Sequence, residues 1–163
     1  MKRKLLLTFV LTVSCLMAGA QDASTLYQEG KALYEAEKYA AAFPKLKKAA
    51  EKGHKKAQYR LGRCYDKGRG VVEDNRQAFR WYAKSAAQGY AKGQYALGKC
   101  YLKGKGVEAD SKKARTWLTR AVKNAKKGDD ILTKIRQDAA QGDDDAQAVL
   151  RLISSAGKSA SRK

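Results

Sequence analysis

The stretch HKKAQYRLGRCYDKGRGVVEDNRQAFRWYAKSAAQG, residues 54–89, is followed without a gap by YAKGQYALGKCYLKGKGVEADSKKARTWLTRAVKNA, residues 90–125. The two coincide at 14 of 36 positions, including Gln58/Gln94, Leu61/Leu97, Gly62/Gly98, Cys64/Cys100, Tyr65/Tyr101, Gly70/Gly106, Asp74/Asp110 and Trp81/Trp117. About two matches are expected by chance, so the chain carries an internal repeat of the length class that stacks into solenoids.

Each copy reads as a helical hairpin. Tyr59, Leu61, Gly62 and Tyr65 mark a first helix, in which Gly62 is small enough to let a neighbour approach closely. Gly68 is placed to end that helix in the left-handed conformation, and Gly70 with Val71 turns the chain back. Asp74 is suited to cap the second helix, with Gln77 three residues on as in a capping box. Ala78, Trp81, Tyr82, Ser85 and Ala86 then recur at the spacing of a buried helical face.

Working outward, residues 21–53 resemble a shorter tetratricopeptide-like hairpin, with Gly30 and Leu33 in its first helix. Tyr39 to Gly53 makes the second, where Pro44 removes a hydrogen bond and should bend the helix. Residues 126–153 read as two degenerate capping helices: AAQG at 139–142 repeats 86–89, and Ala146-Gln147 with Leu150 echoes Ala57-Gln58 with Leu61. Residues 154–163 are small, polar and basic, and disorder is expected there.

The pattern Leu61-Gly62-x-x-Tyr65-x-x-Gly68-x-Gly70-Val71-x-x-Asp74-x-x-x-Ala78-x-x-Trp81-x-x-Lys84-x-Ala86-Ala87-x-Gly89 resembles the Sel1-like repeat, a relative of the tetratricopeptide repeat. That resemblance implies an all-α fold, an α/α solenoid of antiparallel helical hairpins wound into a right-handed superhelix. The copy at 90–125 departs from the pattern at its end, with Val122, Lys123 and Ala125 in place of Ala86, Ala87 and Gly89, which leaves the packing of its last turn open.

Residues 1–20 have the character of a secretory signal peptide: Lys2, Arg3 and Lys4, then an apolar run from Leu5 to Met17, then Ala18-Gly19-Ala20 as a small-x-small cleavage site. The expected location is exported, periplasmic or secreted, with a lipid anchor through Cys15 as the alternative. No later segment is apolar for the roughly 20 residues that a spanning helix needs. Of 35 basic residues, the 32 outside that segment face 16 acidic ones, a formal charge of +16. Such a field draws anionic partners and raises association rates. With export, acidic proteins, free carboxylate ends or anionic envelope surface are expected as partners, and nucleic acid is not.

Few residues suit catalysis. His54 is the one histidine, and a lone histidine lacks the partners of a triad. Cys64 and Cys100 make no Cys-x-x-Cys and the acids are scattered, so no zinc site, other metal or cofactor is expected. The two cysteines read as reduced packing residues, because equivalent positions on helices about 8–10 Å apart exceed disulfide reach. Gly93-x-x-x-x-Gly98-Lys99-Cys100 looks like a phosphate loop but lies inside a helix rather than after a strand. Ser155-x-x-Lys158 matches a penicillin-recognising motif, yet no Ser-Asp-Asn or Lys-Thr-Gly accompanies it.

The expected function is therefore a non-enzymatic scaffold that binds a protein or peptide. Comparison with tetratricopeptide domains puts its groove on the first helices: Lys56, Tyr59, Arg63 and Lys67 from one repeat, Lys92, Tyr95, Lys99 and Lys103 from the next. Lysines and arginines interleaved with tyrosines can hold a carboxylate by charge-assisted hydrogen bonds. The alternatives are an envelope hydrolase of the β-lactamase type, a role discussed for cysteine-rich relatives, and a passive cationic binder of anionic envelope polymers.

Overall fold

The computed structural model describes residues 22–125 and 131–160, with side chains through 154. The signal-peptide expectation for residues 1–20 lies outside the described residues. Among them are eight helices and no strand: α1 (Ala23–Glu35), α2 (Tyr39–Glu51), α3 (Lys55–Lys67), α4 (Asn75–Ala87), α5 (Ala91–Lys103), α6 (Ser111–Asn124), α7 (Ile131–Ala140) and α8 (Asp144–Ala160). α1 pairs with α2, α3 with α4 and α5 with α6, and each hairpin packs on the next through α2–α3 and α4–α5. This is a helical repeat solenoid.

The turns follow the sequence logic closely. Gly68 and Gly104 end α3 and α5 at φ 61° and 67°. The Asp74 and Asp110 carboxylates accept from the Gln77 and Lys113 amides at 3.0 and 2.9 Å, capping α4 and α6. Their backbone amides reach back to the Tyr65 and Tyr101 carbonyls at 3.0 and 2.9 Å, which fixes each return loop on its own first helix. α6 leaves through an extended Ala125 at ψ 120°, where α4 leaves through left-handed Gly89. The residue missing from the pattern thus changes the exit of the helix.

Small residues set the spacing. An added Cβ at Gly62 would lie 2.6 Å from the Tyr82 ring, and one at Gly98 would lie 2.7 Å from Leu118. Ala78, Tyr82, Ser85 and Ala86 bury one face of α4, and Trp81 stays half-buried. A polar joint repeats as well: Gln58 and Gln94 donate to the Ala50 and Ala86 carbonyls at 3.2 and 3.3 Å, and Gln147 donates to Ala139 at 3.4 Å. The same three carbonyls also accept from the Gly53, Gly89 and Gly142 amides at 3.0, 2.9 and 3.2 Å, so each glutamine adds a second bond at a helix end. Gln88 and Asn124 in turn donate to the Oε1 atoms of Gln58 and Gln94 at 2.8 and 3.0 Å.

Two expectations meet a different outcome or a physical qualification. α2 runs on through Pro44, which offers no N–H to the Ala40 carbonyl, and both residues lie on the exposed side of the helix. The tail expected to be disordered from Ser154 is helical through Ala160. Asp144 and Asp145 in its first turn favour that helix through its dipole, and the Ala-Val-Leu-rich run behind them carries it forward.

Candidate functional site

α1, α3, α5 and α7 line a cavity of about 580 Å³, and it adjoins a second of about 370 Å³ with which it shares Tyr59, Arg63, Tyr95 and Lys134. The first also takes Lys56 and Lys92; the second takes Lys67, Lys99 and Lys103. All eight residues named from the sequence therefore lie on one continuous groove. Their convergence follows from the repeat, because positions 36 apart on consecutive first helices fall side by side when α3 packs on α5.

The walls combine fixed aromatics with cations. Tyr59 meets Tyr82 and Tyr90 at ring separations of 5.9 and 5.6 Å. Tyr27 stacks on His54 at 4.4 Å, and His54 Nδ1 accepts from the Ala57 amide at 3.2 Å to cap α3. Burial first, then the neighbouring Lys56, holds the imidazole below its ordinary value. Burial likewise raises the Tyr95 phenol to about 12, so it stays a neutral donor.

Lysines and arginines dominate the first cavity: Lys31, Lys56, Arg60, Arg63, Lys92 and Lys134 face a single lining carboxylate, Glu35. Glu35 is engaged by Arg60 at 2.8 Å. Arg63 rests its guanidinium 5.8 Å from the Tyr34 ring. In the second cavity Lys105 pairs with Asp66 at 2.5 Å, while Lys99 reaches Asp145 at 3.4 Å and Lys103 bonds the same carboxylate. Those bonds, the Lys103 one foremost, hold Asp145 below the usual carboxylate range. α8 thus supplies an acid to the far end of the groove.

The sequence reading missed Tyr27, Lys31 and Glu35 of α1 and Lys134 of α7. The signal for the first three was a spacing of four along α1; Lys134 carried none, because α7 lies outside the 36-residue period. Cys64 and Cys100 are free and buried, and burial raises their thiols to about 11 and about 12. Among the described residues no group of three or more metal-ligating side chains gathers. Nor is any helix there long and apolar enough to cross a membrane.

Comparison with known proteins agrees with this architecture. The Sel1 repeat model matches residues 46–54, 55–90 and 91–125. The chain is similar to the crystal structure of a protective antigen of uropathogenic Escherichia coli strains that displays an SLR fold. Identity is 32% and the TM-score 0.63, over 78% of this chain and 29% of that one. It is also similar to a Sel1 repeat protein from Oxalobacter formigenes, at 30% identity and a TM-score of 0.54, over 73% of this chain and 40% of that one. The chain spans less than half the length of either. No curated protein matches the sequence. Sel1 repeats typically serve as protein–protein interaction scaffolds rather than catalysts. The repeat period, the stacked hairpins and these matches converge: the chain belongs to the Sel1-like repeat proteins.

Proposed function

We propose that this chain is an exported interaction scaffold that holds an acidic or carboxylate-bearing protein segment in the groove along α1, α3, α5 and α7. The observation that carries this reading is the first cavity, where six cations and four tyrosines surround one carboxylate that is already bonded to Arg60. A carboxylate entering there meets charged donors against half-buried rings, where each charge-assisted bond contributes about 1.5–3 kcal/mol. Export is supported by the composition of residues 1–20.

The test is titration of the purified protein with acidic peptides that carry either a free or an amidated C-terminus. Tight binding that falls about tenfold or more in the Lys56→Glu/Arg63→Glu variant is the expected result, from the loss of one or two such bonds. Unchanged affinity in that variant would sink the reading. Turnover of nitrocefin, abolished by a single substitution, would replace it with the hydrolase.

A further inference from the structure

Beyond the groove, the second helices carry a charge pattern of their own. α4 and α6 contain no Asp or Glu, and they expose Arg76, Arg80 and Lys84 on one and Lys112, Arg115 and Arg120 on the other. None of these six lines either cavity, and none ion-pairs with a carboxylate among the described residues. The buried faces of the two helices, Ala78–Tyr82–Ser85 and Ala114–Leu118–Ala121, look into the stack. Arg76, Arg80, Lys84, Lys112 and Arg120 therefore stand on its outer side, whereas Arg115 holds the place of Phe79, which faces Tyr101 of the next hairpin.

Two features distinguish this face from ordinary solvated charge. Lys48, Lys84 and Arg120 are exposed at positions 36 apart, one on each of three consecutive hairpins, so they form a row along the solenoid. Two members of that row are held in place: Lys84 Nζ lies 4.1 Å above the Trp81 ring and Arg120 Cζ lies 4.9 Å above Trp117. A cation resting on an indole has less rotamer freedom to lose on binding.

We propose that this outer face is a second interaction surface, separate from the groove, for a linear polymer that bears a phosphate on each repeating unit. A periodic row of cations complements a periodic row of anions, and arginines favour phosphate through two-pronged hydrogen bonds. A lipid surface fits less well. Cations alone are drawn to anionic lipid, but firm interfacial docking adds inserted apolar side chains, and both indoles lie half-buried beneath their cations. The one large apolar side chain that is strongly exposed among the described residues is Val72, in a loop.

The experiment titrates the purified protein with long-chain inorganic polyphosphate at low and physiological salt, alongside sedimentation with vesicles of phosphatidylglycerol and phosphatidylcholine. The Arg80→Glu/Lys84→Glu/Lys112→Glu/Arg120→Glu variant is expected to bind about tenfold or more weakly at physiological salt and with a flatter salt dependence, since fewer counterions are released. The groove variant Lys56→Glu/Arg63→Glu is expected to lose much less polyphosphate affinity than the outer-face variant. If circular dichroism shows the reversed variant unfolded, the same four positions changed to Gln decide. The proposal is overturned by undiminished binding in the outer-face variants, by loss confined to the groove variant, by vesicle capture without polyphosphate binding, or by no binding of polyphosphate. Peptide binding to the groove is read separately, so either surface can fail alone.

Discussion

Gly106 lies against the carbonyl of Asn75, at the start of the second helix one hairpin earlier, so closely that a Cβ would overlap the oxygen. Its φ of 73° also belongs to the left-handed region. Gly70 meets Tyr39 in the same way, so the return loop of each hairpin is seated on its predecessor through a glycine. Gly106→Ala is expected to lower stability by about 2–4 kcal/mol in urea unfolding, from backbone strain and overpacking together. Gly53→Ala keeps the strain, at φ 86°, but meets nothing within 4 Å; it should cost only about 1 kcal/mol. Equal losses at the two positions would show that the contact with Asn75 contributes nothing.

Burial of Cys64 and Cys100 predicts silent thiols. With values of about 11 and about 12, almost no thiolate exists at neutral pH, and thiolate is the reactive form. A disulfide-exchange reagent should leave both residues untouched in the native protein and label both in denaturant. Rapid native labelling of either would mean that the hairpins open readily around it.

His54 predicts a loss of stability on mild acidification. Its value in the folded chain is lowered, so the unfolded chain takes up the proton first as pH falls through about 6.5. Stability is complete above that pH and declines below it, until the folded histidine also protonates. Protonated Nδ1 can no longer accept from the Ala57 amide, so the start of α3 should fray at the same time. An imidazole titration followed by NMR should give a midpoint below 6.5; a midpoint above it would contradict the burial that causes the shift.

Asp145 occupies two of the groove lysines, Lys99 and Lys103. Asp145→Asn should release them and tighten binding of an acidic peptide several-fold, on the order of 1 kcal/mol for partly exposed pairs. Because the carboxylate is held below its usual range, the variant should also lose less stability than the parent as pH drops through the lowered value. Weaker peptide binding would instead make Asp145 part of the groove architecture.

Most of the solenoid was legible because its physics is local and repeated. Gly68, Asp74 and Gly62 each perform a backbone or packing task that names the residue type, and the copy at 90–125 repeats it. The eight groove residues were legible for the same reason: a fixed period and a stacked geometry bring equivalent positions together. Glu35, Lys134 and Asp145 were not, because their place depends on how α1, α7 and α8 close the two ends, which no internal copy rehearses. The outer row of Lys84 and Arg120 carried no such signal, because a cation on a helix is by default solvated surface.

The glutamine bonds Gln58–Ala50, Gln94–Ala86 and Gln147–Ala139 have a mechanical consequence. Each fastens the end of one helix to the helix that follows it, and none reaches further along the stack. Load applied to the two ends of the protein is therefore carried in series, from fastening to fastening. Under tension the molecule should lengthen in discrete steps as one joint gives way after another.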